Sequence, residues 1–166
     1  TAALAARLEV SEAALYRHFA SKAQMFEGLI EFIEQSVFSL VNQITERETE
    51  GLDAGFRQAG KVVHMLLQFA EKNPGMTRVM VGDALVFENE RLQQRMNQFF
   101  DKIEATLRQS LRGAADASGS ATPSVDAQVR ASALTAFAVG RLQRFARSGF
   151  KRAPSEHLDA SLALML

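Results

Sequence analysis

The stretch TAALAARLEVSEAALYRHFASK, Thr1–Lys22, decides how the rest of the chain is read. Two short helical patterns flank a tight break at Glu9–Val10. The second opens on Ser11, a residue type whose hydroxyl accepts an orphan backbone N–H at a helix start. Leu15 and Phe19 stand four apart and share one inward face. The outward face carries Glu12, Ala13, Tyr16 and Arg17, with Ala14 at its edge. Small side chains beside one phenol and one guanidinium suit a helix that lies deep in a major groove. Bulk there would hold the backbone off the bases, whereas alanine methyls can touch thymine methyls, and Arg or Tyr can reach phosphates or base edges. The pattern predicts a helix-turn-helix with its reading helix over Ser11–Phe19. An ordinary helical hairpin shares that spacing, so context must separate the two.

Outward from this stretch the chain is helical throughout. From Ser21 a long helix is predicted, with Phe26, Leu29, Ile30, Ile33, Val37, Leu40, Val41 and Ile44 as one apolar stripe. Phe32 falls off the stripe, roughly a quarter-turn from its centre, on a flank shared with Met25. Either a second helix packs there, or Phe32 is an exposed knob for a partner. Residues 46–60 (ERETEGLDAGFRQAG), polar with three glycines, read as a loop running into a helix over Phe56–Lys72. That helix is apolar over a broad face, and His64 within it reads as a packed or edge residue. Asn73-Pro74-Gly75 breaks the chain, with Asn73 expected to cap a helix over Pro74–Ala84.

Phe87–Arg112 is a further amphipathic helix, its stripe running Leu92, Met96, Phe99, Phe100, Ile103, Leu107, Leu111. Residues 113–124 (GAADASGSATPS) read as a flexible loop. Val125–Arg147 and Ser155–Leu166 complete the set around a turn at Phe150–Pro154. No strand-like alternation occurs, so the expected fold is all-α. A helix-turn-helix headpiece over residues 1–22 precedes an all-helical body over 23–166, whose last two helices are rich enough in Ala, Leu and Phe to form a two-fold homodimer. Such a dimer would present two reading helices to successive turns of double-stranded DNA, about 34–36 Å apart.

Composition narrows the function classes. The chain has 166 residues, 47% hydrophobic, no Cys and a formal net charge of zero. It is long enough for a substantial core. No 18-residue apolar run and no signal peptide is visible, so no membrane association is expected. The lack of thiols excludes disulfides and thiolate metal sites and fits a cytoplasmic setting. Within Thr1–Lys22, Arg7, Arg17 and Lys22 against Glu9 and Glu12 leave a surplus of one positive charge, little for a DNA-binding face. The chain starts inside the first helix of the motif.

Catalysis is disfavoured. His18, His64 and His157 are far apart and lack metal-ligand spacing, and no P-loop, G-x-S-x-G or G-x-G-x-x-G is present. Carboxylates such as Glu31 and Glu34, or Glu88 and Glu90, sit on polar helical faces. No cofactor is expected. A ligand-responsive repressor remains as the alternative, and its mark would be a cavity with convergent polar groups.

Tyr16-Arg17-His18-Phe19-Ala20-Ser21-Lys22 resembles the Tyr-x-His-Phe-x-x-Lys signature closing the DNA-binding headpiece of TetR-family regulators. The resemblance implies that Tyr16 and His18 contact the DNA backbone, that Lys22 meets phosphate and that a preceding helix completes the headpiece core. With Thr1, Ser11, Ala13 and Arg17 they form the candidate DNA-contacting set. The segments VSEAALYRHFASKAQMFEGLIEFIEQSV, EKNPGMTRVMVGDALVFENERLQQRMNQFFDKIEATLRQSLR and FKRAPSEHLDA extend it to the nucleoid-occlusion branch of that family. What this branch implies is a nucleoid-associated homodimer on palindromic chromosomal sites, without a small-molecule ligand. Its partner is the C-terminal tail of the division tubulin FtsZ, held between the first long body helix and the next. Phe32 and Asn73 match partner-binding positions of the branch. Lys72 keeps the charge of an arginine there without its bidentate fork. The chain departs at Leu40, where the branch has arginine, and at Gln68, where it has glycine.

Overall fold

The computed structural model describes residues 22–86, 88 and 90–166. Thr1, Ser11, Ala13, Tyr16, Arg17 and His18 lie outside the described residues, as does the predicted reading helix. Six α-helices make up the described body: α1 (Lys22–Arg47), α2 (Ala54–Lys72), α3 (Pro74–Met80), α4 (Glu90–Ala117), α5 (Pro123–Arg147) and α6 (Leu158–Met165), with a 3-10 turn at Asp83–Leu85. No strand occurs among the described residues, and no helix there is long and apolar enough to cross a membrane.

The apolar stripes decide the packing. On α1 the buried set is Met25, Phe26, Ile30, Ile33, Val37 and Val41; on α2 it is Ala59, Val62, Val63, Leu66, Leu67 and Ala70. Helix α4 contributes Leu92, Met96, Phe99, Ile103, Leu107 and Leu111, which join those faces and the inner faces of α5 and α6 in one core. Helices α4 and α5 form the broadest pairing, an antiparallel hairpin, while α2 packs across α4.

Five expectations are corrected. Leu40, a member of the apolar stripe of α1 by spacing, is 37% exposed, because the seam between α1 and α2 opens beside it. The loop expected over 46–60 is confined to residues 48–53, since α2 already begins at Ala54. The predicted loop over 113–124 shrinks to 118–122: α4 runs on to Ala117, as Ala114 and Ala115 bury their methyls. That helix ends in a Schellman cap, with Gly119 at φ 79° and Ser120 N–H donating to the Ala115 carbonyl at 3.0 Å. The helix expected over Pro74–Ala84 stops at Met80, because Gly82 adopts φ 90° and turns the chain into the 3-10 segment. The last helix likewise starts later than expected, at Leu158, after a turn in which His157 takes φ 52°.

Candidate functional site

The joint between α2 and α3 is built from the Asn-Pro-Gly-x-Thr run. Pro74 opens α3 at a position where its missing N–H costs nothing. Asn73 holds the N-cap position, yet its side chain does not cap α3: Nδ2 donates to the Phe69 carbonyl at 2.8 Å, closing the end of α2 instead. The expected cap is thus turned the other way, since the last carbonyls of α2 lack helical partners as surely as the first amides of α3 do. Thr77 is fully buried and donates from Oγ1 to the Ala70 carbonyl at 2.8 Å, with the Asn73 carbonyl at 3.1 Å as the alternative acceptor. Replacing Thr77 by valine keeps the shape and strips the joint of that bond. A loss of about 1 kcal/mol is expected in a urea melt.

From this joint a groove runs along the α1–α2 seam. On α1, Phe32, Ser36, Leu40, Gln43 and Arg47 fall within about 80° of the helix circumference. On α2, Lys61, Met65, Gln68 and Lys72 follow a four-three-four spacing that forms a single ridge. Near the far end of the seam Leu40, Gln43, Ile44, Arg47, Glu48, Lys61 and Met65 enclose a recess of about 270 Å³. Counting from the recess, which Leu40 and Met65 both line, eight residues back along α1 and seven forward along α2 carry Phe32 and Lys72 toward the same end of the seam. Phe32 is 50% exposed, whereas Met25 on the same flank is buried. The flank is therefore covered at the start of α1 and uncovered from Phe32 onward.

The electrostatics of the seam are asymmetric. Glu48 pairs with Lys61 and with Arg57, the latter at 3.0 Å. Hydrogen bonds from Lys61 first, then Arg57, hold its carboxyl below the ordinary 4.5. Arg57 also pairs with Asp53 and reaches the Glu50 carbonyl, closing the 48–53 loop on itself. Arg47 and Lys72 remain exposed at the two ends of the groove. An apolar floor between cations suits an extended segment that offers apolar side chains and carboxylates.

A second cavity lies elsewhere, where α1, α2 and α4 meet at the end remote from Lys22. It measures about 480 Å³, opens to solvent and is lined by Asn42, Thr45, Gln58, Thr106, Gln109 and Ser110 together with small residues. Ser110 Oγ donates to Gln58 Oε1 at 2.8 Å. Convergent polar groups line it beside Val41 and Leu52, but no ionisable side chain does.

At the opposite end Lys22, the first residue of α1, places Nζ 3.0 Å from Glu88 Oε2 and 5.9 Å from the centroid of the Phe26 ring. Arg95 of α4 binds Glu34 at 3.2 Å and reaches the Glu27 carbonyl at 3.5 Å, locking α4 to the same half of α1. Of the sequence-predicted residues, Phe32, Lys72 and Asn73 thus gather at one end of the groove, and Lys22 lies apart from them. The resemblance places the second wall on the helix that follows, with Lys72 and Gln68 named on it. Sequence reasoning did not single out Lys61 and Met65, and their spacing with Gln68 and Lys72 is the signal that could have found them.

A helical body of this order behind an N-terminal helix-turn-helix is the build of TetR-class regulators. The model "Bacterial regulatory proteins, tetR family" matches residues 1–29, and "Tetracyclin repressor-like, C-terminal domain", of SlmA-like type, matches residues 54–166. Curated relatives agree. The nucleoid occlusion factors SlmA of Aliivibrio fischeri (strain MJ11) and of Vibrio cholerae serotype O1 are each 50% identical over 165 residues, 99% of this chain and 82% of theirs. That of Vibrio vulnificus (strain YJ016) is 49% identical over the same shares. The chain belongs to the SlmA family of TetR-type proteins.

Proposed function

We propose that the protein is a non-catalytic nucleoid occlusion factor: bound to chromosomal DNA as a homodimer, it engages the C-terminal tail of FtsZ and antagonises FtsZ polymers over the nucleoid. The observation that carries the partner reading is Phe32, a half-exposed aromatic at the mouth of a groove with cationic ends. An aromatic left uncovered on a core helix is the kind of anchor that dominates a peptide interface. Lys72 offers a charge beside it, and the remaining acceptor of the Asn73 amide offers a fixed hydrogen bond.

DNA binding rests on the headpiece residues Thr1, Ser11, Ala13, Tyr16, Arg17, His18 and Lys22. The second copy is assigned to the outer face of α5, where Val125 and Val129 are 60% and 63% exposed beside Ala133 and Ala136, and to α6, where Leu164 is exposed. A folded body leaves such a strip bare only at a cost in solubility, which a two-fold contact removes.

The test is anisotropy of a fluorescent FtsZ C-terminal peptide titrated with the protein. Saturable binding is expected, weakened at least tenfold by Phe32→Ala, a loss typical of an anchor aromatic. DNA binding and thermal stability should be unaltered in that variant. Loss of stability alongside peptide binding would return Phe32 to the core, and no binding by the folded wild-type dimer would remove FtsZ as the partner.

A further inference from the structure

The ion pair at the headpiece end of the body contains a residue that DNA should also want. Lys22 is the first residue of α1 and the lysine for which a phosphate contact is proposed above. In the structure its ammonium is engaged by Glu88, at 3.0 Å. The two partners are unequal. The Lys22 side chain is 47% exposed and the Glu88 side chain 12%. Glu88 is also held from behind: its N–H donates to the Leu85 carbonyl at 3.0 Å, and Leu85 is buried in the core. The Glu88 backbone is thus tied to the body and its carboxylate is the more buried partner, whereas the lysine is the more exposed one, with four rotatable bonds.

We propose that Glu88 is an internal counter-ion that sets the affinity of the protein for DNA. It occupies, in the free protein, the place at Lys22 that a backbone phosphate takes in the complex. The inference rests on the reading that Lys22 meets phosphate. The physical argument is one of competition. A carboxylate and a phosphate oxygen both accept charge-assisted hydrogen bonds from the same ammonium. If Lys22 turns to the DNA, Glu88 is left partly buried without its cation. If Lys22 keeps both partners, a negative carboxylate stays beside the polyanion. In either case the carboxylate opposes binding, whatever the base sequence.

The competition also alters the salt dependence. A lysine that is free before binding releases about one condensed cation when it meets a phosphate. A lysine already paired with a carboxylate releases less, because the vacated carboxylate recovers a cation from solution. Removing the charge of Glu88 should therefore strengthen DNA binding and steepen its salt slope together. Neutralising a shared ion pair of this exposure corresponds to about a two- to fivefold change.

The experiment measures binding of the whole protein to a fluorescein-labelled duplex of mixed sequence across a range of NaCl concentrations. Four forms are compared: wild type, Glu88→Gln, Lys22→Ala and the double variant. Glu88→Gln is expected to bind about two- to fivefold tighter, with a slope steeper by up to about one unit. Lys22→Ala is expected to bind more weakly with a flatter slope, and in its presence Glu88→Gln should bring no gain. Lys22→Ala without effect on affinity or slope would sink the phosphate reading on which the inference rests. Lys22→Ala weakening the binding while Glu88→Gln leaves it unchanged or weaker would overturn the inference alone and make Glu88 a structural anchor. Thermal melts and FtsZ peptide binding of Glu88→Gln serve as folding controls. Should that variant melt early, Glu88→Asp supplies the second reading: it keeps the charge, shortens the reach, and is expected to fall between wild type and Glu88→Gln in both affinity and slope.

Discussion

Phe99→Ala is expected to destabilise the protein by about 3–5 kcal/mol, the largest loss of any single truncation considered, seen as a fall in the urea midpoint with little change in slope. Phe99 is 1% exposed and stands at the centre of an aromatic run. Its ring meets Phe38 of α1 edge-on at 5.5 Å and Phe100 at 5.1 Å. The alanine would forfeit the transfer energy of the ring and leave a void between two long helices that cannot close over it. Phe38 is half-buried under the Lys102 ammonium, 4.9 Å from its centroid, and would lose its inner neighbour. Because the Phe38–Phe99 contact joins α1 to α4, the same substitution should loosen the Arg95–Glu34 pair that holds the two helices in register. A loss near 1 kcal/mol would mean that Phe38 swings into the vacancy, and that the aromatic run is more adaptable than its geometry implies.

Gly55→Ala is expected to cost about 1–3 kcal/mol, although alanine is the better helix former. An added Cβ at residue 55 would fall on the Ser110 carbonyl oxygen and lie 2.9 Å from the Ala114 methyl. The carbonyl belongs to the backbone of α4 and cannot turn aside, so the whole crossing of α2 over α4 would have to widen. Gly113 on the same helix provides the opposite control. Nothing lies within 4 Å of a Cβ there, so Gly113→Ala should stabilise by about 0.5–1 kcal/mol. Equal behaviour of the two variants in urea melts would show that the crossing is not close-packed.

The long elements of the body were legible because their burial follows one period. Every stripe residue named on α4 other than Phe100 is fully buried, and the same holds for most of α1. What the sequence hid was decided by neighbours. Gly55 lies in a segment that reads as loop, yet it is helical because only glycine fits where α2 touches α4. Residues 113–117 read as flexible by composition, yet Ala114 and Ala115 find a surface to bury against. Leu40 matched the stripe, but the seam beside it is open. The candidate site divides in the same way. Phe32 announced itself by falling off a stripe, a local property. The pairing of Lys22 with Glu88 joins distant parts of the chain, and each of those charges taken alone reads as solvated surface.

The short link at 118–122 has a practical consequence. Helix α4 starts beside Lys22 and extends for 28 residues, about 42 Å, before Gly119 turns the chain back. Space is open for 4 Å around the point where a Cβ at residue 119 would stand, and the Schellman cap is complete on its helical side, with Gly119 N–H donating to the Asp116 carbonyl at 3.1 Å. A fluorescent protein spliced into this link would hang from the pole of the body opposite Lys22, next to the Arg47 end of the α1–α2 seam. Such a fusion would leave the half of the body that carries Lys22 and Phe32 uncovered, while its linker would have to lead away from Val125 at the start of α5.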